Sequence, residues 1–147
     1  MNNEAFSSVL VVVNGERSDD GAVSLAGRLM MPSKGRLFIL YVIEVERSLP
    51  LDAEVAPATA KGEEILRHSE EMVEGFKCFK QAELLQSRQA GSAIVQESVD
   101  KQVETIILGS SYNEMYGMFR MEETITYVLK NARCNVLIWR NPIHEMV

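Results

Sequence analysis

The sequence contains no long apolar run. Its 147 residues include no uninterrupted hydrophobic stretch of the roughly 20 residues that a transmembrane helix requires. The N-terminal residues Met1–Phe6 also lack the basic and then apolar pattern of a secretory signal. We therefore expect a cytoplasmic protein that is not inserted in a membrane.

Cysteine and histidine are both scarce. The two cysteines, Cys78 and Cys134, form no Cys-x-x-Cys pair, and the two histidines, His68 and His144, lie far apart. Metal sites built from these residues need close and regular spacings. The sequence therefore predicts no metal site and two reduced thiols that do not pair with each other, with Cys134 mostly buried.

Basic residues are outnumbered by acidic ones. The chain has 15 Lys and Arg against 21 Asp and Glu, a formal net charge of -6, and no cluster of basic residues. Because binding to a nucleic-acid backbone requires basic side chains, we expect no nucleic-acid partner. The apolar fraction of 46% is ordinary for a globular protein. The length predicts a single domain over residues 1–147.

What the sequence does contain is a regular alternation of apolar runs with segments of helical period. Strands are predicted at Ser8–Val13, Arg36–Ile43, Cys78–Gln86, Thr105–Leu108 and Asn135–Arg140. Four of these are continuous apolar runs, which are typical of buried parallel strands, whereas the poorly alternating third is predicted at an edge. With right-handed crossovers, this order predicts an α/β, doubly wound, Rossmann-like fold of three layers. Its five-stranded parallel sheet carries helices on both faces.

Four helices are predicted between the strands. Ser18 or Asp19 is expected to cap the first helix. The second is predicted over Thr59–Glu74, after a loop that ends at Pro57, and the third over Gly91–Lys101. Four residues of the third helix are expected to face inward: Ile94, Val95, Ser98 and Val99.

Glycine turns follow the first and fourth predicted strands. The fourth strand ends in Gly109-Ser110-Ser111, and a helical segment follows the next loop. In open α/β folds, a strand, a glycine turn and a helix N-terminus form the usual place for an anionic ligand. Alternatively, this turn merely ends its strand. The Asn14-Gly15 turn is open to the same two interpretations.

The loop Tyr112–Met121 is rich in methionine and aromatic residues. These are Met115, Tyr116, Met118, Phe119 and Met121. Such side chains suit an adaptable contact surface for a protein partner. The alternative is that the loop folds over the core of its own domain, and the sequence leaves both interpretations open.

Taken in order, these segments resemble the universal stress protein family. The most specific similarity lies in Ile106–Ser110 and in Tyr127–Arg140, which includes Cys134 before the last strand. Leu10–Gly15 resembles the family's first strand and its aspartate-glycine turn, and Leu40–Glu44 its second strand. The resemblance implies strand order 3-2-1-4-5, with the first and fourth strands adjacent at the topological switch point.

The resemblance also implies a nucleotide site. ATP-binding members carry Gly-x-x-Gly and, after a fixed spacing, Gly-Ser/Thr, whose backbone N–H groups hold the phosphates. Asn14 stands where the family has an aspartate that contacts the nucleoside, and Val42 where a backbone contact to adenine is expected. The site positions that the resemblance implies are Asn14, Val42, Gly109, Ser110, Ser111, Tyr112, Glu122 and Glu123.

The residues at the phosphate positions disfavour ATP. Tyr112 replaces the second glycine, although close backbone approach requires a residue without a side chain. Glu122 and Glu123 replace the final pair, and two like charges about 4 Å apart repel by roughly 4 kcal/mol at an effective dielectric near 20. Alternatively, these glutamates are ordinary acids that favour a helix start. We predict no cofactor, with ATP or AMP disfavoured.

The predicted function is that of a non-catalytic universal stress protein-like module. It acts in stress response or regulation through dimerisation and protein partners, without tight ATP binding. The alternatives are an ATP- or AMP-binding nucleotide sensor and a regulatory domain that works beside a transporter. No Ser-His-Asp order or acid paired with a nearby histidine is visible, so we predict neither catalytic residues nor enzyme activity.

The last strand, Asn135–Arg140, is predicted to form a homodimer. At a sheet edge its backbone N–H and C=O groups are unpaired and require cover. The strand is apolar, contains the only tryptophan, Trp139, and lacks an internal proline. Antiparallel pairing with its own copy would bury Val136, Ile138 or Trp139, depending on the face. The resemblance agrees, since relatives commonly dimerise through this strand.

Overall fold

The computed structural model describes residues 6–110 and 123–142. Strands and helices alternate along this part of the chain. The strands are β1 (Ser8–Val12), β2 (Arg36–Glu44), β3 (Phe79–Ser87), β4 (Thr105–Ser110) and β5 (Asn135–Arg140). The helices are α1 (Ser18–Met30), α2 (Ala56–Met72), α3 (Ala90–Asp100) and α4 (Glu123–Asn131).

The strands form one parallel sheet in the order β3-β2-β1-β4-β5. The predicted fold class and strand order are therefore confirmed. β1 and β4 are neighbours at the centre, with Val11 in register with Ile107. Because the strand order reverses between them, the turns that follow β1 and β4 flank one crevice at the carboxyl edge of the sheet.

Both faces of the sheet are buried. One core cluster includes Val11 and Ile107 of the sheet and packs against α1 and α2. The other includes Leu10 and Ile106 and packs against Ile94 of α3 and the inward face of α4. Successive side chains of a strand point to opposite faces, so a strand covered on both sides must be apolar at every position. This explains the unbroken apolar runs of β1 and β4.

The predicted bounds of the second helix are wrong at both ends. Instead of beginning at Thr59, α2 begins at Ala56 and includes Pro57 in its first turn. Proline is tolerated there because the first N–H groups of a helix have no intrahelical acceptor. The helix ends at Met72, before the predicted end at Glu74.

The inward face of α3 differs from the prediction at one position. Ile94 and Ser98 are buried and Val95 is half-buried, but Val99 is 43% exposed. Glu97 takes the inward position instead and is only 9% exposed. Positions three and four residues after Ile94 share its helix face, so the geometry favours Glu97 over Val99. Hydrophobicity alone predicts the reverse.

No side chain caps the start of α1, contrary to the prediction for Ser18 or Asp19. The N-cap position is Arg17, and it makes no side-chain capping hydrogen bond. Ser18 is buried, and its Oγ has no hydrogen-bond partner within the described part of the chain. The side chain of Asp19 instead points back towards the end of β1, where its carboxylate accepts hydrogen bonds from backbone N–H groups.

Several predictions lie outside the described residues. They concern Ser111, Tyr112, Glu122, the loop Tyr112–Met121 and the histidine His144. The described positions of the implied nucleotide site are Asn14, Val42, Gly109, Ser110 and Glu123.

The two cysteines lie against different core clusters. Cys78 comes just before β3 and packs on the side of α1 and α2, whereas Cys134 comes just before β5 and packs on the other side. Both are free and half-buried, so Cys134 is less buried than predicted. The sheet itself separates the two thiols, because β3 and β5 form its opposite edges.

We expect both thiols to remain unlinked within one chain and to react slowly with iodoacetamide at pH 7. Burial raises the pKa of Cys78 and of Cys134, and the thiolate is the reactive form. A disulfide also requires Cα atoms within about 6.8 Å of each other. Labelling of the native protein, followed by peptide mapping without reductant, measures both properties, and unfolding in urea should accelerate labelling. An intramolecular Cys78–Cys134 bridge would contradict the sheet order.

Candidate functional site

The crevice at the carboxyl edge of the sheet brings three predicted site residues together. Asn14 after β1, Val42 of β2 and Gly109 of β4 line one cavity. Ala90 at the start of α3 and Thr124 in the first turn of α4 close its other side. The parallel sheet places these residues together although they are far apart in sequence.

The cavity is small and mainly apolar. Its volume is about 80 Å³, whereas small-molecule sites typically measure roughly 300–1,000 Å³. A neighbouring space of about 160 Å³ shares Thr124 with it. That second space is lined by Glu44, Gln89, Gly91, Glu123, Thr124 and Tyr127. Neither space, as bounded by the described residues, has the volume typical of a nucleotide site.

The side chain of Asn14 is engaged by Glu16. Asn14 Nδ2 donates a hydrogen bond to Glu16 Oε1 at 2.7 Å, and Asn14 Oδ1 accepts one from the backbone N–H of Glu16 at 3.1 Å. The second of these bonds closes a local turn of the kind that asparagine favours. A nucleoside at this position would have to compete with both bonds.

The Asp19 carboxylate accepts hydrogen bonds from the backbone N–H groups of the same turn. The donors are Asn14 N at 3.1 Å and Gly15 N at 2.7 Å. Gly15 has φ 89, a left-handed conformation that favours glycine. Successive N–H groups that converge in this way form a common anion-binding concavity. Here a carboxylate of the protein itself fills it.

The Asp19 side chain is held in a largely water-free position. The residue is only 6% exposed. Burial raises the pKa of Asp19, the hydrogen bonds from Gly15 and Asn14 act in the opposite direction, and the charges of Glu16 and Asp20 raise it further. The two backbone bonds therefore offset part of the cost of burying this carboxyl group.

Glu44 performs a similar role at the start of α3. It lies at the end of β2, and its Oε2 accepts a hydrogen bond from Ala90 N at 2.9 Å. Free N–H groups at a helix N-terminus otherwise attract external anions. The ring of Tyr127 packs beside this turn, where a Cβ on Gly91 would come within 2.8 Å of the Tyr127 Cβ. The helix start is thus both neutralised and shielded.

Acidic side chains consequently surround the crevice. Asp19, Glu44 and Glu123 lie at or beside the N-terminal ends of α1, α3 and α4, respectively. Because the sheet is parallel, all these helices begin at its carboxyl edge. Glu44 and Glu123 line the space beside the cavity, where their charges would repel a phosphate.

Gly109 has a packing role that does not depend on a ligand. A Cβ at this position would lie 2.6 Å from Ser18 Oγ, a distance at which the atoms overlap. The absence of a side chain lets the start of α1 pack against the end of β4. Ser110 follows as the last residue of β4, is half-buried and is in register with Arg140 of β5.

Sequence reasoning identified Glu123 but missed Asp19 and Glu44. Asp19 was considered only as a helix cap, and Glu44 only as part of a strand end. A glycine turn followed closely by an acid was the available signal for Asp19. No local signal marks Glu44, because its partner Ala90 is distant in sequence and the sheet alone brings them together.

Two other kinds of site can be assessed over residues 6–110 and 123–142. No helix in these ranges combines the length and the apolar character needed to cross a bilayer. The same ranges contain no group of three or more His, Cys, Asp or Glu residues arranged to hold a metal ion.

Comparison with known families decides the membership of this chain. The model of the universal stress protein family matches residues 5–140. The chain belongs to the universal stress protein family. This match confirms the resemblance seen in the sequence, while the loss of the ATP motif remains a prediction. No curated protein matches the chain in sequence.

Solved structures of universal stress proteins share the fold. UspA from Lactobacillus plantarum is 19% identical with a TM-score of 0.72, covering 92% of this chain and 98% of its own. A protein from Archaeoglobus fulgidus in complex with dAMP is 11% identical with a TM-score of 0.71, covering 91% and 97%. An Arabidopsis thaliana family protein with AMP bound is 16% identical with a TM-score of 0.65, covering 92% of each chain. At these identities the likeness shows the fold alone.

We expect Asp19→Ala to lower the free energy of unfolding by about 1–3 kcal/mol, because it leaves the N–H groups of Asn14 and Gly15 without their acceptor. The matched control is Asp20→Ala. Asp20 also lies in the first turn of α1, but it makes only an exposed pair with His68, and such pairs contribute little. Urea unfolding at pH 7 measures both variants. Equal losses would show that the Asp19 bonds have no special role.

Proposed function

We propose that this universal stress protein is a non-catalytic module that acts in stress response or regulation through protein contacts, without tight ATP binding. Its family membership supports a role related to stress. Weak ATP binding is supported by the Asp19 carboxylate, which accepts hydrogen bonds from the backbone N–H groups of Asn14 and Gly15. An anion of the protein already occupies the turn at which a ligand would be received.

The charge and volume of the crevice support the same proposal. Glu44 accepts a hydrogen bond from the start of α3, and Glu123 adds a carboxylate to the start of α4. Both carboxylates line the space of about 160 Å³ beside the cavity of about 80 Å³, so a phosphate bound there would lie close to both. The residues present therefore fit a nucleoside phosphate poorly.

A second candidate function is nucleotide sensing. Relatives with the same fold are described with dAMP and with AMP bound. In this chain Asn14, Val42 and Gly109 share one cavity, as a site of that kind requires. We rank this function second because both polar groups of the Asn14 side chain already bond to Glu16.

We further propose that residues 1–147 act as one domain in the cytoplasm, with a protein partner at Tyr112–Met121. The composition of that loop supports an adaptable contact surface. The alternative is a regulatory domain that works beside a transporter. The net charge of -6 supports a partner other than nucleic acid.

We expect ATP and AMP to bind with dissociation constants above about 10 µM. The physical reason is the repulsion between phosphate and the acids around the crevice. Isothermal titration calorimetry of the purified protein measures the affinity, and a smaller dissociation constant would contradict the proposal.

The triple variant Tyr112→Gly, Glu122→Gly, Glu123→Ser tests the cause of weak binding. It restores the family's small residues and removes two charges, so ATP affinity should increase. The control is Glu70→Gln with Glu71→Gln, which removes two exposed charges from α2, away from the crevice. An equal gain in both variants would mean that only overall charge matters. No gain in the triple variant would mean that Asn14 or the loop Tyr112–Met121 also closes the site.

We also propose a homodimer formed through β5. The sheet order places β5 at an edge, where the outer backbone groups of a strand need cover. Trp139 is turned towards α1: its Nε1 donates to Asn141 Oδ1 at 2.7 Å, and its ring lies over Gly21. Ile138 points to the other face and is 41% exposed. Of the three alternatives in the sequence, Ile138 is the exposed one, whereas Val136 and Trp139 are half-buried.

Sedimentation at micromolar concentration should give the mass of a dimer for the wild type and of a monomer for Ile138→Lys. The lysine places a charge at the centre of the proposed interface, where unpaired charge is strongly unfavourable. The control is Leu129→Lys, which changes an exposed leucine on α4 rather than on the edge strand. A wild-type protein of monomer mass would reject the dimer.

A further inference from the structure

A cluster of three charged side chains lies between α3 and the edge strand β3. Lys101 Nζ, just after α3, is 2.7 Å from Glu83 Oε1 on β3 and 3.9 Å from Glu97 Oε2 on α3. None of these side chains lines the crevice cavities. The cluster thus joins the helix to the strand at a place separate from the candidate site.

The cluster contains two carboxyl groups but one amine. Both carboxyl groups face the same amine, at 2.7 Å for Glu83 and 3.9 Å for Glu97, and Glu97 is only 9% exposed. Two carboxylates cannot share a hydrogen bond unless one of them holds a proton, because each ionised group is only an acceptor. Lys101 makes its short contact with Glu83, so Glu83 is the better placed of the two to carry the negative charge and Glu97 the better placed to hold a proton.

The surroundings of the cluster favour the retention of one proton by its two carboxyl groups. Its floor is the ring of Phe38 on β2, with Lys101 Nζ at 5.7 Å from the ring centroid and the guanidinium of Arg36 at 5.6 Å. The remaining charged neighbour on α3 is Asp100, whose negative charge acts on Glu97 and Lys101 and whose Oδ1 accepts a bond from Gln96. Within the described part of the chain, Lys101 is the only basic side chain that forms an ion pair with Glu97.

We propose that Glu83 and Glu97 share one proton and that this proton fastens α3 to the edge strand β3 in a pH-dependent manner. With the proton present, Glu97 donates to Glu83 and Lys101 balances the remaining charge. When the proton leaves, two carboxylates face one amine across the contact. The helix is then held less firmly against the strand.

The direction of titration agrees with the geometry. Burial raises the pKa of Glu97 to about 7, the hydrogen bond and charge of Glu83 reinforce the rise, and Lys101 opposes it. For Glu83, burial acts to raise the pKa, but the hydrogen bonds from Lys101 and Glu97 outweigh it and lower the pKa. Glu97 therefore keeps its proton up to about neutral pH, whereas Glu83 is already ionised at lower pH.

The same helix carries part of the crevice wall. Ala90 and Ile94 of α3 line the cavity, and Glu97 lies one turn further along the helix. The helix that the cluster fastens to β3 is therefore also one that borders the crevice.

The first test is a carbon-13 NMR titration of the glutamate carboxyl groups in the whole protein. The Glu97 signal should titrate with a midpoint near 7. Glu83→Gln should shift that midpoint downwards, because it removes the negative neighbour. A Glu97 midpoint near the ordinary value of 4.5 in the wild type would overturn the proposal without any substitution at that residue.

The second test uses Glu97→Gln, which keeps a hydrogen-bond donor towards Glu83 but cannot ionise. Because the folded pKa of Glu97 is raised, wild-type stability should fall as pH rises from about 4.5 to about 7 and then level off. Relative to the variant, the wild-type unfolding constant should increase on the order of 100-fold over that range. Urea unfolding at pH 5 and pH 8 measures this ratio.

The matched control is Glu70→Gln, the same change at an exposed position of α2. Its unfolding constant should keep a nearly constant ratio to that of the wild type. Parallel pH profiles for the wild type and Glu97→Gln would overturn the proposal, because the variant would then keep the full pH dependence. Should Glu97→Gln fail to fold, the wild-type NMR titration gives the decision.

Discussion

The parallel pairing of β1 with β4 is the constraint on which the rest of the structure depends. These two strands lie at the centre of the sheet, and helices cover both of their faces. A parallel strand can return only through a crossover, so each of the first four strands is followed by a helix that packs on one face. Every helix therefore begins at the same edge, and the reversal of strand order between β1 and β4 opens the crevice there.

That arrangement gathers the positive ends of several helices at one edge of the sheet. Helix N-termini carry partial positive charge and unpaired N–H groups, and a ligand phosphate is one way to satisfy them. In this chain carboxylates do so: Asp19 bonds to the turn after β1, and Glu44 bonds to the start of α3. Intramolecular anions are always present and incur no loss of translational entropy on binding. They compete well with any external phosphate.

Buried acids also appear away from the crevice, where the solution is different. Glu97 has no helix N-terminus to neutralise; it faces Glu83 and Lys101 over the ring of Phe38. Two acids and one amine balance most easily when one acid keeps its proton. Asp19 relies instead on backbone donors, and burial and hydrogen bonding act on its pKa in opposite directions. The same residue type is thus accommodated by local geometry in two ways.

The sequence by itself determined the alternation of strands and helices, the parallel sheet and the family, because apolar runs such as Val9–Val13 and the Ile106–Ser110 strand and turn are local patterns. It also placed Asn14, Val42 and Gly109 at one site. Only the tertiary structure decided that Asp19 bonds to the turn after β1, that Glu44 bonds to the start of α3, and that Glu97, rather than Val99, faces inward. The reason is physical: a buried carboxyl group is stable only beside suitable donors. The donor to Glu44 comes from an element distant in sequence, and the N–H groups that bond to Asp19 converge only once the preceding turn has folded.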